Sequence, residues 1–154
     1  VLSLLDAGII NIITPQGAGC ADLIDPVITL KNFGTNTLTS VTINYQTDAD
    51  PVNTYSWTGN LVTNDTNNIN LPAIPISFGE HIFQAYTTDP NGGADTITFN
   101  DGHIHNIKCI AQTDAGIIAI ISPKDSLCPD SLRPIVTLKN AGLQNLISVT
   151  INTK

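Results

Sequence analysis

Any chemistry in this chain has to come from three cysteines, three histidines and thirteen acids, so their spacing is weighed first. His103 and His105 lie two apart and share one side of any strand, a pair able to ligate a metal. No third ligand stands at a recognisable spacing, and ordinary strand surface is the competing reading. Glu80 adjoins His81 and invites acid/base chemistry, but a lone Glu has no second carboxylate at a legible spacing, and it opens a β-like run after Gly79. No serine sits in a nucleophile elbow and no Gly-rich phosphate loop precedes a helix. The expectation is a protein that is not an enzyme. Asp48 with Asp50, and Asp89 with Asp95, are weak calcium candidates, since hard cations want roughly six to eight oxygens. Neither loop has the twelve-residue helix-loop-helix pattern, and Asp and Asn are equally the ordinary residues of turns. No cofactor is expected, calcium being the one exception these loops leave open. Tyr55 and Trp57, two apart, share a face: they are core packing or, if both are exposed, a low-ranking platform for sugar rings.

Composition narrows the classes further. The chain has 154 residues, six bases against thirteen acids and a formal charge of -7. Phosphate binding needs a basic stripe, and the six Lys/Arg are scattered from Lys31 to Lys154, so a nucleic-acid partner is excluded. The longest apolar runs, such as residues 115–121, fall far short of the roughly 18 to 20 residues of a membrane helix, so no membrane insertion is expected. Hydrophobic residues make up 42% of the chain, too many for disorder. Charged residues are only 12%, about half the usual share. Twelve of the acids are Asp, whereas Thr, Asn and Ile number 19, 16 and 22. Helix-favouring surface residues are nearly missing, and β-branched residues with Asn turns take their place. Such a polar, uncharged surface suits a secreted module. The start, Val1-Leu2-Ser3-Leu4-Leu5-Asp6, has neither a basic region nor a cleavage site and lacks Met, which reads as a processed or excised piece of a longer chain.

An internal repeat organises the whole. An offset of 108 residues aligns Asp6–Asn44 with Asp114–Asn152 without a gap, and 22 of 39 positions are identical. A repeat this long is a domain and not a solenoid unit. The expected division is a complete unit over 1–109 and the first three strands of a homologous unit over 110–154. Cys20 and Cys128 are equivalent, while Cys109 ends the first unit. Cys20 is therefore expected to bond Cys109, with Cys128 pairing outside this chain; three reduced buried thiols are the competing reading.

Within the complete unit, β-like runs bounded by Gly, Pro, Asn or Asp fall near 6–13, 26–32, 40–47, 53–58, 67–71, 80–88 and 95–109, the last interrupted near Asp101-Gly102. Val41, Ile43 and Tyr45 alternate with Thr42, Asn44 and Gln46, which sets the first three inward and the others outward. Seven strands in about 105 residues give an all-β, immunoglobulin/fibronectin III-like β-sandwich in tandem repeats. Half of a second sandwich leaves an apolar face through Ile117, Ile118, Ile120, Ile121, Ile135, Leu138, Val149 and Ile151 that is unstable alone in water. Either the same chain completes it or another copy does so by strand addition. The junction through Ile110-Ala111-Gln112-Thr113 has no Gly/Ser or Pro linker, which implies closely stacked units in a semi-rigid rod.

The residues Pro26 to Tyr45, Trp57-Thr58-Gly59 and Pro90 to Asp95, on the frame of Asp6–Ile10, Pro15 and Cys20, resemble the Ig-like repeats of secreted Bacteroidetes surface proteins. Those repeats are related to the bacterial cell-adhesion domain called CARDB and include gliding-type adhesins. The resemblance covers nearly all of residues 6–109. It implies export to the outer cell surface and a binding or spacer role. It also implies O-glycans at Asp-Ser/Thr followed by an aliphatic residue, that is at Thr96, Ser126 and Ser131. The expected function is a non-catalytic segment of a large extracellular protein forming an adhesive stalk or filament. The alternative is an accessory, carbohydrate-binding module of a secreted multidomain hydrolase. Expected partners are neighbouring repeats of the same protein, other copies in a fibre, and a surface glycan or protein ligand whose identity is not written in the chain.

Overall fold

The computed structural model describes residues 3–16, 20, 22–123 and 133–153. The chain separates into two compact units, Val1–Cys109 and Ile110–Lys154, each described by itself. In the first unit the strands are β1 (Ala7–Thr14), β2 (Leu23–Ile24), β3 (Val27–Asn32), β4 (Leu38–Thr47), β5 (Asn53–Leu61), β6 (Thr66–Asn70), β7 (Ile74–Pro75), β8 (Gly79–Thr88) and β9 (Gly102–Cys109). They form a three-stranded sheet in the order β1-β3-β6, a four-stranded sheet in the order β5-β4-β8-β9, and a small β2-β7 pair. Every ladder is antiparallel.

Alternation in β4 builds the inner face of the larger sheet. Val41, Ile43 and Tyr45 are buried, and the register sets Trp57 opposite Val41, Tyr55 opposite Ile43 and Ala85 opposite Tyr45. Directly opposed residues share a face, so these rows point into the same interior. They pack in one apolar cluster with Phe83 and Ile107 and with Ile9, Ile12, Ile28, Leu30 and Ile69 of the smaller sheet. The result is an all-β, Ig-like sandwich with its core between the sheets.

Two details depart from simple alternation. Asn44, expected on the wet face, is buried; its Nδ2 donates to Thr88 Oγ1 (3.1 Å) and Tyr86 stands opposite it. The run expected to be strand from 95 to 109 becomes strand only at Gly102, and Thr98–Asn100 form a 3-10 turn instead. The Asp101 carbonyl there accepts from Ile9 N (3.1 Å) and Thr87 N (3.2 Å), which lodges the segment between β1 and β8.

β1 solves a parity problem. Ile9 and Ile12 are three apart, so a regular strand would send them to opposite faces. Both are buried because the β1-β3 register slips between Ile9 and Asn11, which returns Ile12 to the face of Ile9; a second slip follows between Ile12 and Thr14. Each slip inserts an extra residue, Ile10 or Ile13, and resets which face follows.

Asn32, at the end of β3, is buried and spends its whole side chain on the backbone. Its Nδ2 donates to Asn36 O and Leu61 O, both at 2.9 Å, and its Oδ1 accepts from Gly34 N at 3.0 Å. A Cβ on Gly34 would lie 2.7 Å from Leu4 O, so only glycine lets this loop close against residues 4–6.

The second unit holds β10 (Ala115–Ser122) paired antiparallel with β11 (Ile135–Asn140). Its register slips fall between Ile117 and Ala119 and between Ile120 and Ser122, each 108 residues beyond those of β1. Asn140 likewise donates to Gln144 O (2.8 Å) and accepts from Gly142 N (3.1 Å). The expected third strand is not formed: residues 148–152 carry the same letters as 40–44 yet make no ladder. In the first unit those letters are held from both sides by β5 and β8, and a strand without paired neighbours is not stable in water.

Replacing Asn32 by Ala strips three hydrogen bonds and strands the Leu61 carbonyl in the interior. The expected loss is about 2 kcal/mol of unfolding free energy, read from urea denaturation.

Candidate functional site

Two polar clusters lie at opposite ends of β4, because β8 runs antiparallel to it. At the end where β4 finishes, Cys20 and Cys109 form a disulfide with Cα atoms 4.7 Å apart, linking positions 89 residues apart in sequence. Cys128, its repeat equivalent, lies outside the described residues. Beside the bridge, Gly79 opposes Cys109, and Glu80 opposes Lys108 with Nζ 3.4 Å from Oε1 on the exposed surface.

His81 follows in β8 and meets the turn after β4. Asp48 holds a left-handed φ of 51° there, which Asp tolerates better than most residues. Its Oδ2 is 2.7 Å from His81 Nδ1, and its Oδ1 accepts from Ile82 N at 2.8 Å. The hydrogen bond from His81 is the main cause that holds the Asp48 carboxyl below its usual range. His81 Nε2 lies 3.0 Å from Ser77 O and 3.5 Å from Ser77 Oγ. Acid, imidazole and hydroxyl therefore stand in the order of a hydrolytic triad. The resemblance is superficial, because Nε2 lies nearer the Ser77 carbonyl, which can only accept, than the Ser77 hydroxyl. Neighbours in sequence hint at none of this, since Asp48 and His81 are 33 positions apart.

At the other end, Asp95 caps the chain's own amides, accepting from Ala7 N and Ile97 N at 2.9 Å each. Asn100 Nδ2 donates to Asp6 Oδ1 at 2.9 Å. Burial pushes the Asp6 carboxyl up, and Asp95 adds to it. Burial, then the charges of Asp95 and Asp6, push Asp101 up to about 6. The Oδ1 atoms of Asn100 and Asp101 are buried without a hydrogen-bond partner.

The acids weighed for calcium do not converge. Asp48 and Asp50 belong to the first cluster, Asp89 and Asp95 to the far end, and Asp48, Asp50 and Asp95 each accept from the chain's own donors. Among the described residues no group of three or more His, Cys, Asp or Glu comes together that could hold a metal ion. His103 and His105 do share a face, opposite Ala85 and Phe83.

The sugar platform is corrected by the register. Trp57 faces inward beside Val41 and is only 6% exposed, and Tyr55 packs partly buried against the core. A Cβ at Gly59 would collide with the indole, so that glycine is what lets the Trp57 ring lie flat along its strand. Thr96 is exposed, with Oγ1 3.4 Å from Ser3 Oγ, while Ser126 and Ser131 lie outside the described residues. No helix among the described residues is long and apolar enough to cross a membrane.

Two measurements check this geometry. The folded pKa of Asp101 exceeds its unfolded value of 3.8, so the native state binds more protons between about pH 4 and 6, and stability falls as pH rises through that window. Asp101→Asn should flatten that fall and raise stability at pH 7 by about 1 kcal/mol, after discounting for solvent screening. Reducing the Cys20–Cys109 bridge should lower unfolding free energy by about 2–4 kcal/mol, because it frees a long loop in the unfolded chain.

No family model matches the sequence, and no curated protein matches it either. Solved structures do. The crystal structure of the CARDB domain of the PF1109 protein from Pyrococcus furiosus, in complex with di-metal ions, matches with a TM-score of 0.56 at 15% identity, covering 71% of this chain and 92% of that one. The solution NMR structure of the same domain matches with a TM-score of 0.54 at 16% identity, covering 70% and 97%. The matched share is about the length of the first unit. At that identity the likeness is one of fold, and the fold is that of a CARDB-type Ig-like module.

Proposed function

We propose that this chain is a non-catalytic segment of a large extracellular surface protein, in which Ig-like units follow one another at a 108-residue period and form an adhesive stalk or filament. The observation that carries the reading is the recurrence of the repeat beyond its letters. Bulge positions and the Asn clasp both return 108 residues on. A duplicated whole unit is what a spacer needs, because length is added without new contacts having to be invented.

Three further features support it. The buried disulfide fits an oxidising, extracellular setting. His81 Nε2 lies nearer a carbonyl than the Ser77 hydroxyl, and the solved structures of like fold are CARDB domains. The β10-β11 face leaves Ile117 47% and Ile120 63% exposed, where their equivalents Ile9 and Ile12 are 2% and 1%. In the first unit β4, β5, β8 and β9 cover the equivalent residues, so this face calls for the remaining strands of its own unit or for strand addition from another copy. The accessory-module reading loses its main support with Trp57 turned inward.

Electron microscopy of the parent protein, with sequencing of the flanking gene, tests this. Regular rods and further 108-residue repeats are expected, and mild protease treatment of intact cells should release them. A catalytic domain directly beside these units would sink the stalk reading.

A further inference from the structure

The Asp48–His81 cluster does more than fill a corner. It joins the turn after β4 to the start of β8, 33 positions away, and to the stretch that leads directly into β8. The turn is already tied to β8 by Asp48 N donating to Ile82 O (2.8 Å) and by Ile82 N donating to Asp48 Oδ1. The stretch 76–79 leans on His81 itself, through Ser77.

The partners dictate the proton count on the ring. A carboxylate and a backbone carbonyl only accept hydrogen bonds, so the ring satisfies Asp48 at 2.7 Å and Ser77 O at 3.0 Å together when Nδ1 and Nε2 both donate, the Ser77 hydroxyl at 3.5 Å being the more distant partner. Only the imidazolium has two N–H groups. A neutral ring would turn one of these contacts into lone pair against lone pair. We propose that the His81 imidazolium is a proton-operated clasp that fastens residues 76–79 to the turn at Asp48, and that loss of its proton lets this segment open.

The surroundings favour the closed form. Asp48 and Asp50 face the ring from the turn, and Glu80 adjoins it with its charge shared by Lys108 of β9. The Asp48 hydrogen bond is the largest cause raising the His81 pKa above 6.5, Ser77 O adds to it, and partial burial opposes both. A group whose folded pKa is raised stabilises fully below its unfolded value and loses that contribution as pH rises through the folded one. The clasp is therefore closed at and below pH 6.5 and opens on the alkaline side.

Opening has consequences along the chain. The stretch 76–79 carries Phe78, 58% exposed, and continues from β7, whose pairing with β2 is extended by Ile76 N donating to Asp22 O (3.1 Å). Freeing the segment loosens the small β2-β7 pair beside Cys20 and, of the main-sheet pairings, reaches only Gly79 opposite Cys109.

Two independent readouts test the clasp in the intact chain. Ring 15N spectra should show both nitrogens of His81 protonated at pH 6, with a midpoint above 6.5; Asp48→Asn should bring that midpoint to 6.5 or lower. Chymotrypsin cleavage after Phe78, scaled to a reference peptide at each pH, should accelerate at least tenfold between pH 6 and pH 9. In Asp48→Asn, cleavage should already be fast at pH 6. A neutral His81 at pH 6, or a scaled cleavage rate flat across the titration, overturns the proposal, and the wild-type measurements decide it even if the variant folds poorly.

Discussion

Covering the apolar face of the β1-β3 ladder is the constraint on which everything else in this sandwich depends. The ladder is made of doubled isoleucines, and the register slip after Ile9 turns Ile12 to the same side. That side is useful only if another apolar sheet lies against it. In the first unit the inner rows of β4, β5, β8 and β9 supply the cover, and the isoleucines disappear from water. In the second unit the same ladder, with the same slips, stands bare. At about 25 cal/mol per Å² of apolar surface, closing that face is the largest favourable term available to a chain with so few charges.

Polar groups then decide which closed arrangement is reached. Asn32 ties the end of β3 to the end of β5 across the core. Thr87, wholly buried, donates its hydroxyl to Ala7 O and so links β8 to β1 across the gap between the sheets. Asn91 accepts from Thr39 N and Ser40 N and donates to Thr37 O, holding the turn after β8 against the entry to β4. Each is a neutral amide or hydroxyl satisfying backbone groups that would otherwise be stranded. This is why a surface and interior rich in Thr and Asn serves where charged residues are scarce. The acids do local work instead, as Asp95 does for two amides and Asp48 for His81 and Ile82.

Most of the fold could be read from the letters, because strand faces are local. Val41, Ile43 and Tyr45 announce an inward row by alternation alone, and six of the seven expected long strands fall within a few residues of their place. The seventh differs from 95 to 101, where Thr and Ile suggest a strand but Asp101 offers its carbonyl to two strands at once. The short pair β2-β7 carries two residues a side, too few for any periodic signal. The site was less legible. The Cys20–Cys109 pairing followed from the repeat, but Asp48 and His81 carry no mark of each other. Trp57 reads from the letters as core packing before a sugar face, and its register against Val41 places it in the core.

Ser-Val-Thr-Ile-Asn occurs twice in this chain, as central strand in one unit and without any ladder in the other. By itself the sequence determined what depends on neighbours along the chain: which residues alternate, where turns fall, that a unit recurs after 108 residues, and that its surface would be polar yet barely charged. Tertiary structure alone decided whether an alternating segment is a strand, which acid meets the histidine, and which groups face its two ring nitrogens. Side-chain alternation costs nothing beyond the local backbone geometry. Hydrogen-bond partners and burial come from residues tens of positions away, and no local pattern encodes them.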